Sequence, residues 1–417
     1  MNGKQKLQQA LAHRDGPVPL DIGATAVTGI HCSVVETLRD YYGLKKHPVI
    51  ISDPYQMLGL VEDDLKEAMG IDTDCITSNS TIFGFSFGNE KEWRTPWGQK
   101  VLVPGGFSTT TAPNGDILIY ACGDTACEPC ARMPRNGYFF DTIIRGHSYD
   151  EDDPHVEDNL EEFQIYGEST KEAFRRQLTQ KKHRGRGLVT QVDGCAIGDI
   201  AMVPGPMLRA PKGLRDISEW YMAIVANPDY LHQIFEKQTE IALENLRIAW
   251  ELLGDAVSVV FLCGTDFGTQ NAPFCSRETF RTLYMPYYRR MNDWVHQNTS
   301  WKTFKHSCGA IRPLLNDIIE AGFDIINPVQ WSAGDMDARQ LKEEFGQHIT
   351  FWGGGINTQK TLPFGAPEQV RSEALECLKI FSKSGGYIFN TIHNIQAKTP
   401  VENVVAFVNA VREFNGE

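Results

Sequence analysis

The stretch VSVVFLC, at residues 257–263, decides the fold class of this chain. Its β-branched and apolar residues are typical of a parallel strand that is buried on both faces. A helix is predicted to follow from Ser276, as the N-cap, to about His296, and another short strand is predicted at residues 303–306. A strand, a helix and a second strand in this order predict a parallel sheet that is covered by helices.

The same alternation of strands and helices extends in both directions from this stretch. Strands are predicted at residues 18–22, 72–77, 188–192, 257–263, 303–306, 324–328, 349–352 and 387–391. Two of the later helices are predicted to begin at Asp335 and at a capping box, Thr399-Pro400-Val401-Glu402. Eight such units predict a closed (β/α)8 TIM barrel, an α/β fold, in a single domain over residues 1–417. An open, doubly wound sheet is the alternative.

Residues 84–187 interrupt this alternation. Segments 97–104 and 116–120 have the pattern of hairpin strands, and residues 168–182 are predicted to be helical. The region is therefore predicted to be an insertion after the second strand. Long connections are commonly functional, so we expect a lid over the mouth of the barrel. The alternative is a structural flap that does not contact the site.

Composition narrows the classes of function. The chain has 417 residues, 41% of them hydrophobic, and its formal net charge is −13. This acidic balance argues against a nucleic-acid partner, because phosphates attract basic surfaces. The N-terminal residues lack the apolar segment of a secretory signal, and no apolar run is long enough to cross a bilayer. A cytoplasmic location is expected, in which most of the ten cysteines are free thiols.

The sharpest local signal is KHSCG, at residues 305–309. His306 and Cys308 lie two apart where a strand ends, so their side chains point to the same side. In a barrel that end faces the active site, and imidazole with thiolate suits Zn²⁺. His393 follows the last strand and is the best third ligand. The alternative is a buried cysteine beside a histidine of the core.

Other polar and aromatic residues are predicted to lie at strand ends. Asp266 and Asp193 are candidate catalytic residues, Asp266 as a proton shuttle or as a group that orients a ligand. An equally open role for Asp266 is to cap backbone amides in its glycine-containing turn. Candidate substrate-binding residues are Phe267, Asn327, Gln330 and Trp331, although the aromatic ones also suit core packing.

A second cysteine pattern lies inside the insertion. Cys122, Cys127 and Cys130 have part of the spacing of a structural zinc site. Such a site normally has four ligands in paired spacings. The fourth is missing here, and His147 is a weak candidate for it.

The sequence LCGTDFGTQ, at residues 262–270, resembles a strand-and-turn motif of the uroporphyrinogen-decarboxylase superfamily. The segments HSCG at 306–309, GGGI at 353–356 and GGY at 385–387 follow in the order of that superfamily. The resemblance covers residues 185–415 well and the first 80 residues more loosely. It implies a (β/α)8 barrel whose site lies at the mouth.

The superfamily has two branches that differ in chemistry. Its porphyrin decarboxylases bind substrate carboxylates with an R-x-x-x-R motif just after the first strand. The matching region here is DIGATA, at residues 21–26, and the next arginine is Arg39. The cobalamin-dependent methyltransferases have an H-x-C pair and a third zinc ligand after the last strand, usually a cysteine. This chain resembles that branch, with His306, Cys308 and His393 at the three positions.

The methyltransferase branch implies transfer of a methyl group between a small methylated substrate and the cobalt of a corrinoid (cobalamin). The chain has no D-x-H-x-x-G motif for cobalamin, so the resemblance implies that a separate corrinoid protein docks over the barrel mouth. Imidazole in place of a thiolate leaves zinc a stronger Lewis acid, which favours O-demethylation of a methoxylated aromatic compound.

Three other functions stay open at this point. The first is a corrinoid methyltransferase that methylates a thiol. The second is a lyase that resembles uroporphyrinogen decarboxylase and acts on another acid without metal, with Arg145 or Lys305 as its basic residue. The third is a corrinoid- or tetrapyrrole-binding protein without catalysis. Metal content and the effect of His306→Ala distinguish the transferases from the other two.

Overall fold

Seven parallel strands form one curled sheet in the computed structural model, which describes residues 1–146 and 154–417. His147 lies outside the described residues. In spatial order the strands are Thr73–Ile76, Gly187–Gln191, Val257–Cys263, Lys302–His306, Ile325–Asn327, Thr350–Trp352 and Tyr387–Ile388. Spatial order follows chain order, as in a (β/α)8 barrel and unlike a doubly wound sheet, whose strand order reverses.

The predicted first strand closes this sheet into a barrel. Leu20 pairs in parallel with Phe389, and the Asp21 N–H donates to the Phe389 carbonyl at 2.9 Å. On the other side the Asp72 N–H donates to the Leu20 carbonyl at 2.8 Å. Residues 18–22 therefore lie between the last strand and the second one. The predicted eight-unit α/β barrel is confirmed, and the open sheet is excluded.

The inside of the barrel is filled by large apolar side chains, as it is in barrels of this size. One buried cluster contains Val189, Val259, Phe304, Ile325, Trp352 and Ile388, from six different strands. Leu7 and Ala10 of the N-terminal helix Gly3–Leu11 join the same cluster. That helix covers one end of the barrel, and the functional residues lie at the other, where the strands end.

The helices form an outer layer that packs on the barrel through a second, larger core. The longer ones are Cys32–Tyr41, Asp63–Met69, Glu168–Lys181, Ile217–Ala226, Pro228–Leu253, Met285–Asn298, Arg312–Glu320, Ala338–Phe345, Pro367–Phe381 and Val401–Asn415. Short turns of helix cover Arg277–Thr279 and Thr361–Phe364, and a π-helical turn covers Phe280–Tyr284. None of the described helices is both long enough and apolar enough to cross a membrane.

Three predicted helix starts have different outcomes. Ser276 accepts a hydrogen bond from the Thr279 N–H and is an N-cap, as predicted. The prediction for Asp335 is wrong: its φ of 55° is left-handed, whereas an N-cap needs extended backbone, and Asp337 caps the helix. The capping box at Thr399 is also wrong, because its hydroxyl donates to the Gln396 carbonyl and Pro400 takes the N-cap position.

The region after the second strand contains two small sheets. Strands Thr109–Thr111, Ile117–Tyr120, Pro129–Met133 and Asp141–Thr142 form an antiparallel meander. The other sheet has the order Leu58–Gly59, Val49–Asp53, Lys100–Val103 and Lys91–Arg94. Its first two strands precede the insertion in the chain, and Val49–Asp53 pairs in parallel with Lys100–Val103. The insertion therefore shares a sheet with the connection after the first barrel strand.

Contacts of the insertion lie at the C-terminal ends of the barrel strands. The Arg145 guanidinium donates to the Gly205 carbonyl at 2.8 Å, in the loop after the third strand. The Lys398 ammonium lies 4.7 Å from the ring centre of Tyr138. His31 begins the helix Cys32–Tyr41, and one of its ring nitrogens lies 3.0 Å from the Tyr138 carbonyl. The role of the insertion as a lid stays a prediction.

Candidate metal centre at the mouth of the barrel

His306, Cys308 and His393 come together at the mouth of the barrel. One ligand atom from each lies within 4.8 Å of the other two. His306 ends the fifth strand, Cys308 follows two residues later, and His393 comes after the eighth strand. The Cys308 Sγ lies 3.4 Å from the His306 Nε2. Zinc bonds of about 2.0–2.3 Å in tetrahedral geometry separate two ligand atoms by roughly 3.3–3.7 Å, so this pair has the spacing that zinc requires.

Asn327 holds the His306 ring in the orientation of a metal ligand. The Asn327 Nδ2 donates to the Trp352 carbonyl at 2.9 Å, so its Oδ1 faces the ring, 2.6 Å from the His306 Nδ1. Nδ1 must therefore carry the proton that it donates. Nε2 is left as a lone-pair donor directed at the cluster. A hydrogen bond of this kind to the distal nitrogen is usual for histidines that bind metals.

Burial keeps all three ligand groups uncharged in the absence of a cation. It lowers the pKa of His306, and it lowers the pKa of His393 to about 4 with help from the neighbouring His306. Burial also raises the pKa of the Cys308 thiol well above its usual value, and the nearby Asp266 carboxylate adds to the shift. A divalent cation is the partner that reverses the shift at the thiol, because it stabilises the thiolate.

Asp266 and two glycines hold the backbone of the Cys308 turn. The Cys308 N–H donates to the Asp266 Oδ1 at 2.6 Å, and the same oxygen lies 3.5 Å from the His306 Nε2. Gly309 has a φ of +87°, and a Cβ there would lie 2.5 Å from the carbonyl carbon of Gly268. Only glycine allows the two turns to approach this closely. Asp266 therefore caps a backbone amide, and its predicted role as a proton shuttle or ligand-orienting group stays a prediction.

The other predicted residues take different places. Gln330 is buried, and its Oε1 accepts from the Gly309 N–H at 2.8 Å, so it supports the same turn. Trp331 is half-buried, and its Nε1 donates to the Gly354 carbonyl at 2.7 Å. Phe267 is buried beside the ring of Tyr284. Asp193 is reached by solvent, yet the protein that surrounds it raises its pKa to about 6.

Two further charged groups lie close to this centre. The buried Lys305 ammonium donates to the carbonyls of Thr265 and His306 at 2.5 and 2.6 Å, which ties the Asp266 turn to the fifth strand. Burial raises the pKa of Asp199 to about 6, and the Asp266 carboxylate contributes to the shift. Sequence analysis missed Asp199, because it lies in a long loop rather than at a strand end.

The cysteine pattern in the insertion does not form a comparable cluster among the described residues. The thiols of Cys122, Cys127 and Cys130 contact three separate backbone carbonyls, those of Met207, Asp124 and Ile119. In the part of the chain that the structure describes, only the His306 set brings three metal-binding groups within 4.8 Å.

Comparisons with known proteins agree with this architecture. The family model "Uroporphyrinogen decarboxylase (URO-D)" matches residues 206–414, half of the chain. A uroporphyrinogen decarboxylase of Coxiella burnetii is 30% identical over 101 residues, which are 24% of this chain and 26% of that protein. A methylated-thiol–coenzyme M methyltransferase of Methanosarcina mazei is 24% identical over 217 residues, 50% of this chain and 52% of that protein. The chain thus spans about half or less of the length of these curated relatives.

A solved structure shows the same fold over the full chain. A methyltransferase from Methanosarcina mazei superposes with a TM-score of 0.58 and covers 99% of both chains at 17% sequence identity. This likeness shows the fold. Both curated relatives and solved structures therefore include members of the methyltransferase branch of the superfamily.

Proposed function

The chain belongs to the uroporphyrinogen decarboxylase family, and on that premise we propose that it is a zinc-dependent, corrinoid-dependent methyltransferase. It moves a methyl group between a small methylated substrate and the cobalt of a corrinoid that a separate protein carries to the barrel mouth. The observation that carries this proposal is the set of His306, Cys308 and His393 at the mouth. A lyase that acts without metal would leave the convergence of these three groups unexplained.

The donor set fits zinc. Two imidazole nitrogens and one thiolate sulfur are zinc ligands, and three protein ligands leave a coordination position open for substrate. Zinc held there supplies a Lewis acid for the heteroatom that bears the methyl group. Asn327 orients the His306 ring, and Asp266 holds the Cys308 backbone through its amide. Neither residue needs to touch the substrate for its effect.

The favoured direction is demethylation of a methoxylated aromatic compound. The bond between the methyl carbon and the ether oxygen breaks, and both of its electrons stay on the oxygen. The methyl carbon bonds to Co(I) of the corrinoid, which becomes methyl-Co(III). Phe267 is proposed to contact the arene, and Asp193 is proposed to return a proton to the product oxygen.

Metal content tests the site. Zinc is measured by mass spectrometry in the wild type and in His306→Ala, Cys308→Ala and His393→Ala, with Cys122→Ala as a matched control from the other cysteine group. We expect about one zinc per chain, lost in the three variants and kept in the control. Zinc that is lost in Cys122→Ala but kept in Cys308→Ala would place the metal elsewhere and refute the site.

Activity tests the reaction class. Zinc-loaded protein is mixed with a Co(I) corrinoid protein and 2-methoxyphenol, and methyl-cobalt formation is followed by its absorbance spectrum. A methylated thiol is the second substrate, because the Methanosarcina mazei relative carries a methylated thiol in its name. Transfer from the thioether alone would keep the methyltransferase and exclude the O-demethylase. Transfer from neither substrate, together with no zinc in the wild type in the preceding measurement, would favour the lyase.

A further inference from the structure

A cavity of about 420 Å³ opens beside the metal centre. It lies between the helix Ile217–Ala226 and the turn that carries Asp266, after the third and fourth strands. Asp266 is one of its walls, and the Oδ1 of the same residue is 3.5 Å from the His306 Nε2. Asp266 therefore connects this end of the cavity to the predicted metal ligands, which do not themselves line it.

Five aromatic side chains line this cavity: Trp220, Tyr221, Phe267, Phe274 and Tyr284. The Tyr221 and Phe274 rings stack with centroids 5.4 Å apart, and the Phe267 and Tyr284 rings meet edge to face at 4.9 Å. Flat rings presented in this way suit another aromatic ring, which gains from offset and edge contacts. An apolar cavity of about 150 Å³ is enough for benzene, so the space here accommodates an arene that bears several substituents.

The charge of the lining limits which arenes fit. Asp266 is the one charged side chain among the described residues that line the cavity, and no lysine, arginine or histidine is among them. A carboxylate at the end of the ring away from Asp266 would lose its hydration without gaining a cationic partner. The negative charge of Asp266, whose Oδ1 accepts the Cys308 N–H at 2.6 Å, adds repulsion against a ligand carboxylate.

We infer that this cavity binds the aryl group of a methoxyarene and excludes arenes that carry a carboxylate. The methyl ether lies at the Asp266 end, and the ring lies between the Tyr221–Phe274 pair and Phe267. The identity of the reactive group rests on the proposed methyl transfer. The binding of an aryl ring in the cavity does not depend on the proposed methyl transfer.

Binding to the zinc-loaded protein tests the inference without turnover. Calorimetry compares 2-methoxyphenol with 4-methoxybenzoate. We expect 2-methoxyphenol to bind at least about tenfold more tightly, because a buried unpaired carboxylate is disfavoured. Equal or tighter binding of 4-methoxybenzoate would overturn the inference.

A matched pair of variants locates the binding. Ile224 lines the cavity, whereas Met222 lies on the same helix, is 60% exposed and does not line it. Ile224→Trp should weaken 2-methoxyphenol binding about tenfold or more by filling the space, and Met222→Trp should leave it unchanged. Zinc content and melting temperature, measured on both, show that the fold and metal centre persist. Equal binding by both variants would refute the location.

The outcomes for the pocket and for the reaction are separable. Cavity-dependent binding of 2-methoxyphenol without any methyl transfer would refute the proposed function and keep the pocket. Transfer from a methylated thiol with no 2-methoxyphenol binding would refute the pocket and keep the methyltransferase.

Discussion

Replacing Asn327 by alanine is the sharpest test of how the metal centre is built. The side chain joins two buried groups, the His306 Nδ1 and the Trp352 carbonyl, at 2.6 and 2.9 Å. Leaving a buried polar group without its partner costs about 1–3 kcal/mol, so we expect the two losses to lower the free energy of unfolding by about 2–6 kcal/mol. Losing the hydrogen bond to a metal-binding histidine lowers metal affinity about 10–100-fold.

Two assays separate these effects. Urea unfolding of the metal-free protein gives the change in stability, and competition with a chromophoric chelator gives the zinc affinity. Asn327→Asp keeps an acceptor for the His306 Nδ1–H and should retain most of the affinity. Asn390→Ala is the matched control, because Asn390 is equally buried but its Nδ2 donates to the Asp21 carbonyl.

The outcome that would refute the reasoning is specific. If Asn327→Ala binds zinc as tightly as the wild type, the His306 ring does not depend on Asn327 for its orientation. If both variants lose affinity to the same degree, the effect comes from general loss of packing at the mouth.

Two further predictions concern the turn that carries Cys308 and the His31 cap of the helix Cys32–Tyr41. Gly309→Ala should abolish zinc binding or lower the melting temperature by several degrees. The reason is that the added Cβ would lie 2.5 Å from the Gly268 backbone and would displace Cys308. Wild-type values for both zinc binding and melting temperature would contradict this prediction. In the folded state the His31 Nδ1 accepts from the Ser33 N–H at 3.2 Å, and burial lowers the His31 pKa to about 4, whereas the unfolded value is 6.5. The unfolded chain therefore binds the proton first as pH falls, and stability is lost between pH 6.5 and 4, by roughly 3 kcal/mol at most. Urea unfolding at pH 7 and pH 4.5 should show a smaller acid loss in His31→Asn than in the wild type, and equal losses would exclude His31 as the cause.

Local pattern predicted most of the barrel, because the neighbours of each strand in the sheet are also its neighbours in the chain order of strands. The clearest strand, Val257–Cys263, has the predicted bounds, and the neighbouring strands differ by a few residues at their ends. The two wrong helix starts, at Asp335 and Thr399, come from details that a residue type does not specify. The first depends on the left-handed φ of Asp335. The second depends on the Thr399 hydroxyl, which donates to the Gln396 carbonyl and does not cap the helix.

The sequence by itself determined that His306 and Cys308 share one side of a strand end, because side chains two apart on extended backbone point the same way. The order of eight strand-and-helix units also brought His393 to that mouth. Only the tertiary structure decided that Val49–Asp53 pairs with Lys100–Val103, that Asn327 holds the His306 ring, and that the helix Ile217–Ala226 forms a cavity beside Asp266. These features depend on groups far apart in the chain, and no local pattern records which distant side chain fills the space next to a given one.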